Sequence, residues 1–127
     1  MSALILDTGA LVAVDRGDRA MAARLRVAER SGLGLCSTGA VIAEVWRDAA
    51  GRQANLARLL KSVDVRAVDR QLGKEAGVLL GKSGVKDAVD ATLVAVAGTG
   101  DRVLTSDPAD IQKLVSASRR AILVVPC

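Results

Sequence analysis

Short apolar runs alternate with longer stretches of helical periodicity along almost the whole chain, and this pattern limits the fold more than any other feature. Residues 3–6, 33–36, 63–68, 103–105 and 122–125 read as strands. Between them, helices are expected over 10–14, from the Asp18 cap to residue 30, over 40–49, 55–62, 70–82 and 86–97, and after Ser106-Asp107-Pro108. Strand–helix alternation of this kind implies a mainly parallel central sheet with helices on both faces, a three-layer α/β/α domain. No repeat, linker or low-complexity segment interrupts it, so residues 1–127 are expected to form one domain.

The core must be aliphatic. Half of the residues are hydrophobic, yet Trp46 is the sole aromatic, and there is no His. Without His there can be no Ser-His-Asp triad, no His-ligated zinc and no His acid–base pair acting on an RNA 2′-hydroxyl. Any hydrolytic chemistry falls to carboxylates, hydroxyls, lysines or a metal. Cys36 and Cys127 form no C-x-x-C and no disulfide framework, so a reducing cytoplasm is the expected setting. No signal peptide and no membrane span are read. The net charge of +4 permits an anionic partner such as nucleic acid.

Four acids stand out by position. In an open parallel sheet, ligands bind at the carboxyl ends of strands. Asp7 follows the first strand and Asp107 follows Val103-Leu104-Thr105; Glu44 and Asp90 interrupt apolar helices. Each has a plainer explanation: a helix cap for Asp7 and Asp107, a solvated helix face for Glu44, dipole-favoured helix-start charges for Asp87 and Asp90. Together they form a set. Gathered carboxylates raise one another's pKa and are kept mainly where a cation offsets the repulsion. An all-oxygen site suits Mg²⁺ or Mn²⁺.

The segments Leu4-Ile5-Leu6-Asp7-Thr8-Gly9-Ala10-Leu11, Val41-Ile42-Ala43-Glu44-Val45, Asp87-Ala88-Val89-Asp90-Ala91-Thr92-Leu93-Val94-Ala95 and Val103-Leu104-Thr105-Ser106-Asp107-Pro108 occur in this order. They resemble the PIN-domain family and, within it, the VapC toxins. The resemblance implies a metal-dependent ribonuclease whose acidic pocket is Asp7, Glu44, Asp90 and Asp107. Thr105 and Thr8 would orient that pocket. Asp87, one helical turn before Asp90, is either a further ligand or a substitute for one. The resemblance also implies RNA as substrate, a homodimer, and a VapB-like antitoxin that blocks the site. The apolar helices around Leu11–Val14 and Met21–Val27 offer a groove for that partner, or are ordinary core.

Two other readings compete. Asp7-Thr8-Gly9 matches the D-T-G of aspartic proteases, but that class is all-β and leaves Glu44, Asp90 and Asp107 unexplained. A PIN-like module without catalysis is the other. Haloacid-dehalogenase-type phosphatases want a second Asp where Gly9 stands. If the ribonuclease reading holds, water attack at phosphorus leaves a 5′-phosphate and a 3′-hydroxyl. Arg16, Arg47, Lys82 and Lys86 are the candidate contacts to the RNA backbone, since they neighbour the site elements in sequence. Asp7→Asn is expected to abolish activity while leaving the fold intact.

Overall fold

The computed structural model describes residues 2–47 and 50–127. Five parallel strands form one sheet in the order β3-β2-β1-β4-β5: β1 (Ala3–Leu6), β2 (Gly34–Thr38), β3 (Val63–Arg66), β4 (Arg102–Thr105) and β5 (Leu123–Pro126). The helices among the described residues are α1 (Thr8–Asp15), α2 (Arg19–Arg30), α3 (Gly39–Val45), α4 (Ala54–Leu60), α5 (Arg70–Ser83), α6 (Ala88–Val96) and α7 (Pro108–Ser118). None is long and apolar enough to cross a membrane. The α/β architecture expected from the alternation is present, and the all-β protease fold is excluded.

Crossovers between parallel strands are right-handed, so the direction of travel across the sheet decides which face a helix covers. From β1 the chain moves one way to β2 and β3, which puts α1 to α4 on one face. From β3 it crosses back to β4 and on to β5, which puts α5 to α7 on the other. The packing agrees: α1 touches α2, α3 and α4, while α5, α6 and α7 pack on one another. The order therefore reverses between β1 and β4, which lie side by side with Leu4 opposite Arg102 and Leu6 opposite Leu104. A crevice opens at the carboxyl ends of two such strands.

Ile5, Leu6, Leu11, Leu93, Val94, Val103, Leu104, Ile111 and Leu114 are fully buried on either side of the sheet. Helix α6 is buried from Asp90 to Ala95, so its apolar sequence reflects a central position. Several boundaries moved from those read in the sequence. Helix α6 starts at Ala88 rather than residue 86, because the Asp87 carboxylate accepts from Asp90 N–H and fixes the cap there (3.0 Å). Strand β2 runs on to Thr38, because Ser37 donates to Leu6 O (2.8 Å) and Thr38 bonds Thr92 (2.9 Å), which lets two polar residues be buried in the sheet. Helix α3 ends at Val45, Trp46 being extended, and residues 48 and 49 of the expected helix lie outside the described residues.

Candidate metal centre

Asp7 is almost fully buried and holds the crevice together. Its Oδ1 accepts from Ala10 N–H (2.8 Å), capping α1, and its Oδ2 accepts from Ser106 N–H (2.8 Å) just after β4. A single carboxylate thus ties the end of β1 to the end of β4. Gly9 makes room for this. A Cβ added there would lie 2.7 Å from the Ser106 Cβ, well inside contact distance. The glycine of Asp7-Thr8-Gly9 therefore serves close approach of the loop after β4, not protease chemistry. Gly9→Ala is expected to push Ser106 away from Asp7 and cost about 1–3 kcal/mol. Adding Ser106→Gly should recover part of that loss in a thermal melt; an unaltered melt for Gly9→Ala would contradict the packing.

Thr105 is fully buried, and its Oγ1 accepts from Asp107 N–H (2.8 Å). That hydroxyl orients the turn into α7. Asp107 occupies the cap position with Pro108 behind it, yet its side chain makes no capping bond. The plain explanation for Asp107, a helix cap, accounts for its place in the chain but not for its carboxylate. That carboxylate turns toward Asp90 and Asp110: one oxygen from each of the three lies within 4.8 Å of the other two.

Asp90 is the least accessible of the three, only 8 % exposed. Among the described residues its carboxylate receives no hydrogen bond; only its N–H is engaged, by Asp87. Burial pushes its pKa up to about 7, and the negative charges of Asp87, Asp7, Asp107 and Asp110 push the same way. A carboxylate on so buried a residue, with no protein donor among the described residues and with four more acids around it, is costly unless a proton or a cation occupies it.

The sequence-predicted residues therefore sort into groups. Asp90 and Asp107 lie in the cluster. Asp7 borders it, with both oxygens committed to backbone N–H groups. Asp87 uses Oδ1 as the α6 cap and contributes charge from the rim. Glu44 is exposed, and its Oε1 accepts from Thr8 Oγ1 (2.7 Å), so the expected Thr8 contact exists but is made to Glu44 at the mouth of the crevice. Asp110 was not singled out in the sequence. It occupies the first turn of α7, three residues after Asp107, and that i, i+3 spacing places both on one helix face.

The basic candidates lie on both flanks. Arg16 and Arg47 line a recess beyond α1 and α3, where Arg47 also donates to Ala43 O (2.9 Å) and Trp46 O (2.7 Å). Lys82, at the end of α5, and Lys86, beside Asp87, lie on the opposite flank. All four are exposed.

No family model matches the chain, and no curated protein matches its sequence. Solved structures do match in fold. One is VapBC2 from Rickettsia felis, determined bound to a DNA fragment of its promoter; it has a TM-score of 0.71 and 12 % identity, covering 98 % of each chain. Another is DNA-bound VapBC from Salmonella typhimurium, with a TM-score of 0.69 and 17 % identity, covering 99 % of this chain and 98 % of that one. Over nearly its whole length, the chain has the fold of a VapBC component.

Proposed function

We propose that residues 1–127 form a single divalent-metal-dependent ribonuclease domain, the toxin of a VapBC-type toxin–antitoxin pair. The observation that carries the metal is the carboxylate of Asp90, a residue nine-tenths buried, which has no hydrogen-bond donor among the described residues and is grouped with Asp107 and Asp110. Hard oxygen donors alone suit Mg²⁺ or Mn²⁺. Asp90, Asp107 and Asp110 would hold the cation, with Asp7 and Asp87 adding charge from the border and Glu44 facing the mouth. When bound, such a cation supplies activated water and stabilises the leaving oxygen of a phosphodiester.

The protein's own part is placement. Asp7 fixes the loop after β4 to α1, Thr105 fixes the backbone of Asp107, and Thr8 holds Glu44 at the entrance. Exposed Arg16, Arg47, Lys82 and Lys86 would neutralise RNA phosphates.

The partner reading rests on the VapBC neighbours and on one surface. A groove of about 400 Å³ runs between α2 and α4, with Val14, Leu25 and Leu59 in its floor and three arginines, Arg19, Arg26 and Arg58, against two acids, Asp18 and Glu29, around it. It suits an amphipathic segment whose polar flanks are on balance acidic, as an antitoxin could supply. Met21 and Leu25 are themselves buried in the core, so only part of the expected apolar surface remains open. Homodimerisation and residence in the cytoplasm rest on the resemblance and the cysteine usage.

The test is cleavage of RNA by purified protein with Mg²⁺, with Mn²⁺ and with EDTA, followed by analysis of the ends. Metal-dependent cuts leaving 5′-phosphates, lost in Asp110→Asn, are expected. A 2′,3′-cyclic phosphate, or cleavage indifferent to EDTA, would overturn the mechanism; a soluble protein that never cuts would leave a binding module. Induction should arrest growth unless the partner encoded beside it is co-expressed, and normal growth without the partner would remove the toxin reading.

A further inference from the structure

A second recess, of about 350 Å³, lies on the α5–α7 side of the acidic cluster, between the last turn of α5 and the middle of α7. Lys82 and Lys113 line it, with Ser83, Gln112 and Ser116, and no carboxylate belongs to its lining. Both lysines are exposed, and neither makes an ion pair or hydrogen bond with a described residue. Lys113 stands three residues after Asp110, a spacing that ordinarily lets an acid and a base pair on a helix surface. Here Asp110 is gathered with Asp90 and Asp107 instead, which leaves Lys113 without its natural counter-ion. Two ammonium groups without a described counter-ion thus share one recess, and Lys113 stands one helical turn from Asp110.

We infer that this recess is a backbone-phosphate subsite for single-stranded RNA, in which Lys82 and Lys113 hold the strand where it leaves the acidic cluster; the inference rests on the ribonuclease reading above. The polar partners suit it. Ser116 and Gln112 can donate to a non-bridging phosphate oxygen, and no aromatic side chain is present to stack a base, so contact is with the backbone and indifferent to sequence. The arrangement also resolves a difficulty of charge. A strand approaching a cluster of acids is repelled until cations are in place, and lysines beside the cluster provide an anchor that does not depend on the metal.

The experiment measures binding of a short mixed-sequence single-stranded RNA in EDTA, where it cannot be cut by metal-dependent chemistry, over a range of salt. Each phosphate contact contributes about 0.7 to the slope of log K against log salt for single strands, so Lys82→Ala/Lys113→Ala should lower the slope by about 1.4 and weaken binding roughly 25-fold at about 0.1 M salt. Arg30→Ala/Lys61→Ala removes the same charge at the opposite edge of the sheet, ahead of β2 and β3, and should leave the slope unchanged. Equal slopes for wild type and the Lys82/Lys113 variant would overturn the subsite while leaving metal-dependent cleavage untouched. A lowered slope in a protein that does not cleave would support the subsite and overturn the nuclease reading. No RNA binding by the wild type would overturn the subsite outright.

Discussion

Asp90→Asn is expected to abolish metal-dependent cleavage, by at least about 10³-fold, while making the metal-free protein more stable. The first effect follows from removing the innermost charged oxygen of the cluster, since a bound cation contributes several kcal/mol to charge stabilisation at a phosphodiester. The second follows from linkage. The Asp90 carboxyl is pushed up to about 7 in the folded chain, from 3.8 for an unperturbed group. Between those values the folded protein holds a proton that the unfolded chain has released, so stability falls as pH rises from about 4 to about 7 and then levels off. The full penalty is on the order of 4 kcal/mol at pH above 7. Asparagine escapes it, less the cost of burying its own amide, so the variant should melt several degrees above wild type at pH 8 and near or below it at pH 4 to 5. Mg²⁺ or Mn²⁺ should raise the wild-type melting temperature at pH 8 and hardly move that of the variant. Melting curves at the two pH values, with and without metal, read all of this; a variant that melts below wild type at pH 8 would refute the account of the site.

The second large effect is expected at Asp7, and there the structure revises what the sequence suggests. With Asp7 taken as one acid among several, Asp7→Asn is a gentle change that removes a charge and relieves repulsion. The geometry says otherwise. Both Asp7 oxygens accept from backbone N–H groups at 2.8 Å, from Ala10 and from Ser106, and the side chain is almost fully buried. Asparagine offers one acceptor. Its NH₂ must then face a backbone N–H, which costs either the α1 cap, about 1 kcal/mol, or the link to the loop after β4, with an unsatisfied buried donor worth about 1–3 kcal/mol. Relief of repulsion on Asp90 is the smaller effect, because burial and Asp87 both raise that group more than Asp7 does. Asp7→Asn should therefore lose about 2–4 kcal/mol in denaturant unfolding together with its activity. Unfolding indistinguishable from wild type would show that the two hydrogen bonds contribute little. For a growth assay, Asp90→Asn or Asp110→Asn separates loss of function from loss of fold better than Asp7→Asn does.

Much of the fold was legible because hydrophobic periodicity and turn chemistry agreed. Residues 3–6 and the helix from the Asp18 cap to Arg30 lie where the sequence placed them, the first as an unbroken apolar run, the second through Asp18, Met21, Leu25 and Ala28. Polar residues buried by tertiary contacts were not legible. Ser37 and Thr38 read as helix N-caps between the strand over 33–36 and the helix over 40–49, but they belong to β2, because partners on β1 and α6 satisfy their hydroxyls. The strand expected over 63–68 stops at Arg66: its alternation of Val63, Val65 and Ala67 suggests one buried face, but Val65 and Ala67 are exposed. At the site, position along the chain identified Asp90 and Asp107, but no local signal separates an acid that fills a crevice from one that caps a helix. Asp110 was not singled out because an acid in a helix's first turn is ordinary, and only the orientation of α7 against α6 gives it a second meaning.

The adjacency of β1 and β4 also has a consequence in time. These strands lie side by side in the sheet, yet Asp7 and the Ser106 it binds are 99 residues apart in sequence. During synthesis the amino-terminal strands and helices emerge early, but the groove beside β1 stays empty until β4 arrives, and two of the three clustered acids lie at positions 107 and 110. The cluster cannot assemble on a chain cut short before α7. A nascent chain therefore lacks this cluster until α7 has been made, and a product truncated before α7 lacks it altogether.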